Sequence, residues 1–214
     1  MLLMALLLPA LVFAGSYDDY FTAVKLDSPR QLQALIERGL GPNLVEPQRG
    51  YTALMLAIRE DSMQVVALLL KNPDIDLQAH ARNGDTALML AAFHGYLPVV
   101  QTLLARDVEV NRPGWVALHY AAMNGDPQII KALLDASAYI DAESPDEKMT
   151  PVMLAAMRGH VNAVKLLKEE GADLSLKNAE GMTALDLARK FKQDEVVDFL
   201  SDAPPGLFLQ RPAQ

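Results

Sequence analysis

The sequence predicts an all-α solenoid of stacked helix-turn-helix units, and three observations support this prediction. A nine-residue pattern recurs in register at starts 34, 30, 34 and 33 residues apart: GYTALMLAI, GDTALMLAA, GWVALHYAA, KMTPVMLAA and GMTALDLAR. Each copy is followed by a second apolar block, such as VVALLL or IIKALL. Turn residues separate the two blocks and follow the second. Self-similarity at this period is typical of repeat proteins, in which neighbouring units bury a shared core.

Each unit begins with a finger-like turn, followed by a short first helix, a second turn, a longer second helix and a loop. Four of the first helices are preceded by a threonine N-cap, whose hydroxyl can accept a free backbone N–H: Thr52, Thr86, Thr150 and Thr183. Paired alanines let neighbouring first helices pack closely, and the leucines of the second helices bury the rest. No single pair is large enough to be stable alone, so the units have to stack.

Residues 149–178, MTPVMLAAMRGHVNAVKLLKEEGADLSLKN, resemble the ankyrin repeat nearly throughout. The family's signature is a glycine two residues before Thr-Pro-Leu-His, then Ala-Ala, Gly-His, a Val-Val to Leu-Leu helix and Gly-Ala-Asp. The resemblance covers about residues 17–202 and implies an ankyrin-repeat solenoid of five to six repeats, counting degenerate caps. The predicted units are 17–49, 50–83, 84–113, 114–147, 148–180 and 181–202.

The two ends of the chain differ from the repeats. Residues 1–14 form an uncharged apolar run with small residues before a cut at Gly15, which predicts a cleaved signal peptide. A buried N-terminal helix is the alternative. Residues 203–214 are rich in proline, and their LFL motif either packs on the last repeat or forms a short exposed motif. An exported chain without cysteine predicts a periplasmic location, with secretion as the second choice.

The composition limits the classes of partner and site that we expect. The net charge is −8, which disfavours nucleic acid and anionic membrane surfaces and suits a basic protein partner. The absence of cysteine excludes disulfides, thiol catalysis and thiolate metal sites. The apolar run is too short to span a bilayer, so we expect no stable membrane insertion after signal cleavage.

Known catalytic motifs are missing. The chain has no glycine-rich phosphate loop, no HExxH and no G-x-S-x-G motif. Its four histidines, His80, His94, His119 and His160, fall in three different repeat positions, so they do not predict a metal site. We therefore expect no enzyme activity, no cofactor and no bound metal.

The tetrapeptide of the family is altered in this chain. Methionine takes the place of its histidine in three units, at Met55, Met89 and Met153. His119 occurs only where Val116 replaces the threonine. The methionines are expected to fill space in the core. His119 is expected to be structural and to lie on a different surface from Trp115, which precedes the helix.

The resemblance also implies a binding groove lined by the fingers and the first helices. Two columns would supply contacts: the residue before each N-cap and the two residues after each alanine pair. The candidate partner-binding residues are Tyr51, Arg59, Glu60, Asp85, Phe93, His94, Trp115, Met123, Asn124, Met149, Met157 and Arg158. We expect these columns to face solvent. Five members are large and apolar: Phe93, Trp115, Met123, Met149 and Met157. If they form one continuous patch, they indicate an interface. If they are scattered, they are ordinary surface residues.

One finger is short. Only two residues separate Asn111 from Gly114, where the family's register has five. The shorter finger would open the groove beside Trp115, and Pro113 would stiffen it. The sequence therefore predicts a non-enzymatic, exported protein-binding module. An immunity-type inhibitor of a periplasmic toxin or hydrolase is the alternative, and an enzyme or small-ligand protein ranks last.

Overall fold

Helices make up most of the structure. A computed structural model describes residues 7–201, with side chains from residue 15 onward. Within that range the chain forms twelve α-helices and two isolated β-bridges, without a longer strand. The all-α prediction is confirmed. The predicted tail, 203–214, and residues 1–6 of the predicted signal peptide lie outside the described residues.

The first of two compact units spans Met1–Ala87 and contains two helix pairs. Its helices are α1 (Leu7–Lys25), α2 (Pro29–Glu37), α3 (Ala53–Arg59) and α4 (Met63–Lys71). Helix α1 continues across the predicted cleavage point before Gly15. The first helices α1 and α3 pack together, and the second helices α2 and α4 pack together. This two-layer stacking is that of a helical repeat solenoid.

The second compact unit spans Leu88–Gln214. The helices that follow α4 are α5 (Ala87–His94), α6 (Leu97–Leu104), α7 (Ala117–Asn124), α8 (Pro127–Asp135), α9 (Pro151–Arg158), α10 (Val161–Glu169), α11 (Ala184–Lys190) and α12 (Asp194–Ser201). In one layer α9 packs between α7 and α11. In the other layer α6, α8, α10 and α12 pack in sequence. The same two-layer solenoid therefore forms in this unit.

The core follows from the two helix types. In α9 every residue from Pro151 to Ala156 is buried, since small alanines let its neighbours approach on both sides. Helix α8 is amphipathic and buries Ile129, Ile130 and Leu133 on one face. Full burial of such a side chain contributes about 1.5–3 kcal/mol. Each helix therefore depends on packing against neighbours rather than on its own length.

The fingers lie between a second helix and the next first helix. In four of them, the backbone carbonyl of the residue just before the N-cap accepts a hairpin hydrogen bond from a backbone N–H earlier in the finger. The donor and acceptor pairs are Glu46 and Tyr51 at 2.8 Å, Ala81 and Asp85 at 2.8 Å, Ser144 and Met149 at 3.0 Å, and Asn178 and Met182 at 2.9 Å. Fifteen residues separate Lys71 from Ala87, but only twelve separate Leu104 from Ala117. The predicted short finger is confirmed.

The threonine N-caps differ in the structure. The hydroxyl of Thr52 accepts the Met55 N–H at 3.4 Å, and that of Thr183 accepts the Asp186 N–H at 3.3 Å. Thr150 stands at the same position, but its buried Oγ1 makes no hydrogen bond. Its backbone N–H donates to the sulfur of Met153 at 3.5 Å. The prediction that Thr150 caps through its hydroxyl is therefore wrong, because that hydroxyl has no partner within reach.

The turn between the two helices of a pair ties neighbouring repeats together. His160 donates from Nε2 to the carbonyl of Met123 at 3.0 Å. Gln193 donates in the same way to Met157, at 3.2 Å. A Cβ added at Gly125, whose φ is +88°, would lie 2.4 Å from the His160 ring. Glycine is therefore required there both by the left-handed backbone and by the close approach of the ring.

Candidate protein-binding face

His119 is the structural centre of the candidate site. It lies in α7 with no exposed surface. Its Nδ1 accepts the Val116 N–H at 3.1 Å, so Nε2 carries the proton and donates to the carbonyls of Ala142 at 2.9 Å and Met149 at 3.0 Å. The ring caps its own helix, where valine offers no hydroxyl, and holds the next finger. The prediction of a structural role is confirmed.

The environment of His119 favours the neutral imidazole. Burial lowers the pKa of His119, and its hydrogen bonds to the carbonyls of Ala142 and Met149 oppose this only in part. Protonation of Nδ1 would also place a second N–H against the Val116 N–H. A group that serves only as a neutral, buried hydrogen-bonding partner is poorly placed for acid–base chemistry with a ligand.

Trp115 packs directly on His119. The two ring centroids are 5.1 Å apart and meet edge to face at 61°. The expectation that they lie on different surfaces is wrong, because the two rings are in direct edge-to-face contact. Trp115 is half-buried, so part of its ring remains accessible. The buried histidine therefore supports the accessible tryptophan.

Further rings continue from Trp115 across the unit. Tyr120 lies 5.9 Å from Trp115 and 6.1 Å from Phe93. Phe93 meets His94 at 5.4 Å, and His94 stacks on Tyr96 at 5.7 Å with an interplanar angle of 9°. We call these five residues the aromatic face. Phe93 is 40% exposed and the other four are half-buried, so the rings form a supported surface rather than a closed core.

Two members of the aromatic face, Tyr96 and Tyr120, were missed by the sequence reasoning. Tyr120 occupies a column that holds a buried leucine in the other full repeats: Leu56, Leu90, Leu154 and Leu187. That departure from leucine was a usable signal. Tyr96 stands in the turn column of His160, and nothing in its spacing pointed to a stack with His94.

The methionine and polar candidates lie near the turns of α7 and α9. Met123 and Met157 are half-buried, and each offers its carbonyl to a side chain of the following repeat. Asn124 donates from its side chain to the carbonyl of Phe93 at 3.1 Å. It thereby fixes the end of α5 beneath the aromatic face. Arg158 is exposed.

Three candidates do not face solvent. Tyr51, Asp85 and Met149 are only 7%, 6% and 2% exposed, so the expectation of exposure is wrong for this column in the long fingers. Each of these residues accepts the hairpin hydrogen bond of its finger, but so does the half-buried Met182, so that bond alone does not decide the exposure of the side chain. The predicted patch therefore loses Met149, while Phe93, Trp115, Met123 and Met157 retain accessible surface.

The first unit holds its candidates in a separate polar group. The Tyr51 hydroxyl donates to the Asp85 carboxylate at 3.3 Å. Burial and that carboxylate raise the pKa of Tyr51. The Arg59 guanidinium lies 5.7 Å from the centre of the Tyr51 ring, and Glu60 beyond it is exposed. Tyr51 and Asp85 thus stabilise each other and leave Arg59 and Glu60 as the accessible members.

Among residues 7–201 no three histidine, aspartate or glutamate side chains are grouped so that they could hold a metal ion. Within the same residues, no helix combines the length and apolar character needed to cross a bilayer.

Stacked helix pairs and hairpin fingers define a helical-repeat protein. The chain belongs to the ankyrin repeat family: the model described as "Ankyrin repeats (3 copies)" matches residues 21–114 and 118–207. Ankyrin repeats generally mediate protein–protein interactions and are typically non-catalytic. The matched ranges consist of repeats alone.

Several longer proteins contain sequences similar to this chain. "SH3 and multiple ankyrin repeat domains protein 2" of Homo sapiens is 32% identical over 168 residues, which cover 77% of this chain and 9% of that protein. "Tyrosine-protein kinase Shark" of Drosophila melanogaster is 30% identical over 185 residues, covering 85% and 20%. "Photoreceptor ankyrin repeat protein" of Homo sapiens is 41% identical over 87 residues, covering 40% and 19%. This chain spans no more than a fifth of the length of each of these relatives. All three are eukaryotic, so the likeness to bacterial exported proteins stays a prediction.

Proposed function

We propose that this chain is a non-enzymatic protein-binding module and that its partner docks on the aromatic face. The observation that supports this proposal is the unbroken series of ring contacts from Trp115 to Tyr96, with Phe93 exposed at its middle. Large aromatic side chains are enriched at the centres of protein interfaces, where a few of them supply most of the binding energy.

The face suits a partner because its rings are already held in place. Asn124 fixes the backbone under Phe93, and His119 fixes the indole of Trp115. A side chain held in its bound position loses little conformational entropy on binding. The half-buried Met123 and Met157, near the ends of α7 and α9, would offer a partner adaptable apolar side chains. The exposed Arg158 would offer it a positive charge.

The test is loss of a captured partner on removal of single rings. Affinity purification followed by mass spectrometry identifies the partner, and binding of variants is then measured. We expect Trp115→Ala to weaken binding by about 2 kcal/mol or more, and Phe93→Ala to weaken it as well. Phe191→Ala is the matched control, because Phe191 is 47% exposed but lies outside the aromatic face. Equal affinities for all three variants would refute the proposed face.

The predicted signal peptide supports a location outside the cytoplasm. We propose a periplasmic location, with secretion as the second choice, on the strength of residues 1–14. Expression of the full chain in a bacterium, followed by fractionation and N-terminal sequencing, tests this. A mature protein that begins at Gly15 in the periplasmic fraction supports export; an uncleaved chain in the cytoplasmic fraction contradicts it.

The acidic composition favours a second candidate function. A net charge of −8 would accelerate capture of a basic enzyme, so the module would then act as an immunity-type inhibitor of a toxin or hydrolase in the same compartment. Deletion of the gene should make cells sensitive to that enzyme. Deletion strains that resist it as well as wild type would leave only the binding role.

A further inference from the structure

The finger that follows α8 concentrates negative charge beside Trp115. We call residues 136–150 the acidic finger. It carries four acidic residues, Asp141, Glu143, Asp146 and Glu147, and one basic residue, Lys148. Of these, Glu143, Asp146 and Glu147 are exposed. The preceding short finger, residues 105–116, has two acidic and two basic residues and adds no net charge.

The acidic finger is held in one shape. Its closing bonds run from the Ser144 N–H to the Met149 carbonyl at 3.0 Å and from the Met149 N–H to Ser144 Oγ at 3.0 Å. The Lys148 N–H donates to the Ser144 carbonyl at 3.1 Å. Ser144 is 2% exposed, so these bonds are shielded from water. The carboxylates at the tip are therefore displayed on a fixed loop.

Two observations place this finger next to the indole. His119, on which Trp115 packs, binds the carbonyls of Ala142, in the middle of the finger, and Met149, near its end. The backbone of Gly114, which precedes Trp115, lies close to Pro145, since a Cβ added at Gly114 would lie 3.6 Å from that ring. A half-buried tryptophan thus adjoins a rigid loop with exposed carboxylates.

We infer that Trp115 and the acidic finger together bind an arginine or lysine side chain carried by a basic segment of the partner. A cation over the face of a tryptophan is attracted by the ring's quadrupole, most strongly when it is partly desolvated. Neighbouring carboxylates add charge complementarity and hydrogen-bond acceptors for the same group. This inference rests on the proposed function and assigns a partner chemistry to one end of the aromatic face.

The single tryptophan makes the site directly measurable. Because Trp115 is the only tryptophan in the chain, its fluorescence reports on this position alone. The probe is an acetylated, amidated tetra-arginine peptide titrated into the full chain at low salt. We expect a saturable change in emission that weakens as sodium chloride is added. A tetra-glutamate peptide should leave the emission unchanged.

Two triple variants separate local charge from total charge. The first, Glu143→Gln with Asp146→Asn and Glu147→Gln, should weaken tetra-arginine binding at least tenfold. The control neutralises three exposed carboxylates of α10 and α12, Glu169→Gln with Glu195→Gln and Asp198→Asn, and should weaken it less than threefold. The inference would be overturned if both triple variants weakened tetra-arginine binding equally. It would also be overturned if an uncharged Ser-Leu-Ser-Leu peptide bound the full chain as tightly as tetra-arginine does.

The inference and the proposed function fail in different ways. If a captured protein partner is lost on Phe93→Ala but tetra-arginine never perturbs Trp115, the cation site is refuted and the binding module stands. If tetra-arginine binds with the expected variant pattern but no protein partner depends on the aromatic face, the cation site stands and the proposed function is refuted.

Discussion

We expect the free energy of unfolding to depend on pH because His119 is buried and hydrogen-bonded. Comparison with the variant His119→Met separates the contribution of His119 from that of the other titrating groups. Methionine fills the same column in three other repeats, so the change keeps a side chain that this fold accepts. Its sulfur can accept the Val116 N–H, as Met153 accepts the Thr150 N–H. The change removes the donor to the carbonyls of Ala142 and Met149.

The expected cost follows from those two carbonyls. That of Met149 still accepts the Ser144 N–H, whereas that of Ala142 loses the His119 donor. Leaving a fully buried acceptor unsatisfied costs about 1–3 kcal/mol. Because Ala142 is only partly buried, we expect His119→Met to lower the free energy of unfolding by about 1 kcal/mol near pH 8. For a protein of this size that corresponds to a fall in melting temperature of about 2–4 °C.

The difference between wild type and variant should shrink as the pH falls. The pKa of His119 is lowered in the folded state, so below its ordinary value of 6.5 the unfolded chain binds more protons at this residue than the folded chain does. Wild type therefore loses stability through this window, and the variant has no titrating group at that position. Above the window the full contribution of the neutral ring is present.

Urea unfolding followed by circular dichroism at pH 8, 6.5 and 5.5 measures the difference directly. The other histidines are common to both proteins and cancel. Met153→Leu is the matched control in the same column, and its cost should not change with pH. A difference between wild type and His119→Met that stays constant, or grows, as the pH falls would refute the assignment of a neutral, buried His119.

Two further predictions concern the threonine caps and the glycine turns, and both can be measured as shifts in the urea midpoint. Thr150→Val should leave stability unchanged or raise it by up to about 1 kcal/mol, because it removes a buried hydroxyl without a partner; Thr183→Val should lower it by about 1 kcal/mol, because it removes a working cap. Equal losses at both positions would contradict this. Gly125→Ala should cost clearly more than Gly84→Ala, although both residues have φ of +88°. A left-handed alanine costs about 1–2 kcal/mol at either position, but only at Gly125 does the added Cβ displace the ring of His160; equal costs would show that this contact is dispensable.

The fold could be predicted because every repeat carries the same information. Leu54 and Leu118 share one position of the repeated nine-residue pattern, and both are fully buried in the structure. Ala23 of the first predicted unit, 17–49, and Ala57 of the second are also fully buried. A repeated pattern averages over local exceptions, so one altered residue does not change the predicted helix.

The binding face could be predicted only in part, because exposure in the finger column depends on loop length. In the fingers of fifteen residues Asp85 and Met149 are buried. In the finger of twelve residues Trp115 is half-buried and packed on His119. Alignment gives these positions the same column, but it carries no information about the packing that buries one side chain and leaves another accessible.

The altered residues of the fourth repeat contact one another, so their departures from the repeat pattern are linked. Val116 cannot cap α7 through a hydroxyl, and the ring of His119 takes over that role while reaching the next finger. The same ring supports Trp115, and Tyr120 then links the indole to Phe93. Under the proposed function, stability and binding are divided between adjacent side chains: His119 has no exposed surface and holds the backbone, whereas Trp115 and Tyr120 are half-buried and would contact the partner. Replacing His119 should weaken both properties, while replacing Tyr120 by the leucine of other repeats should weaken binding and leave the fold intact.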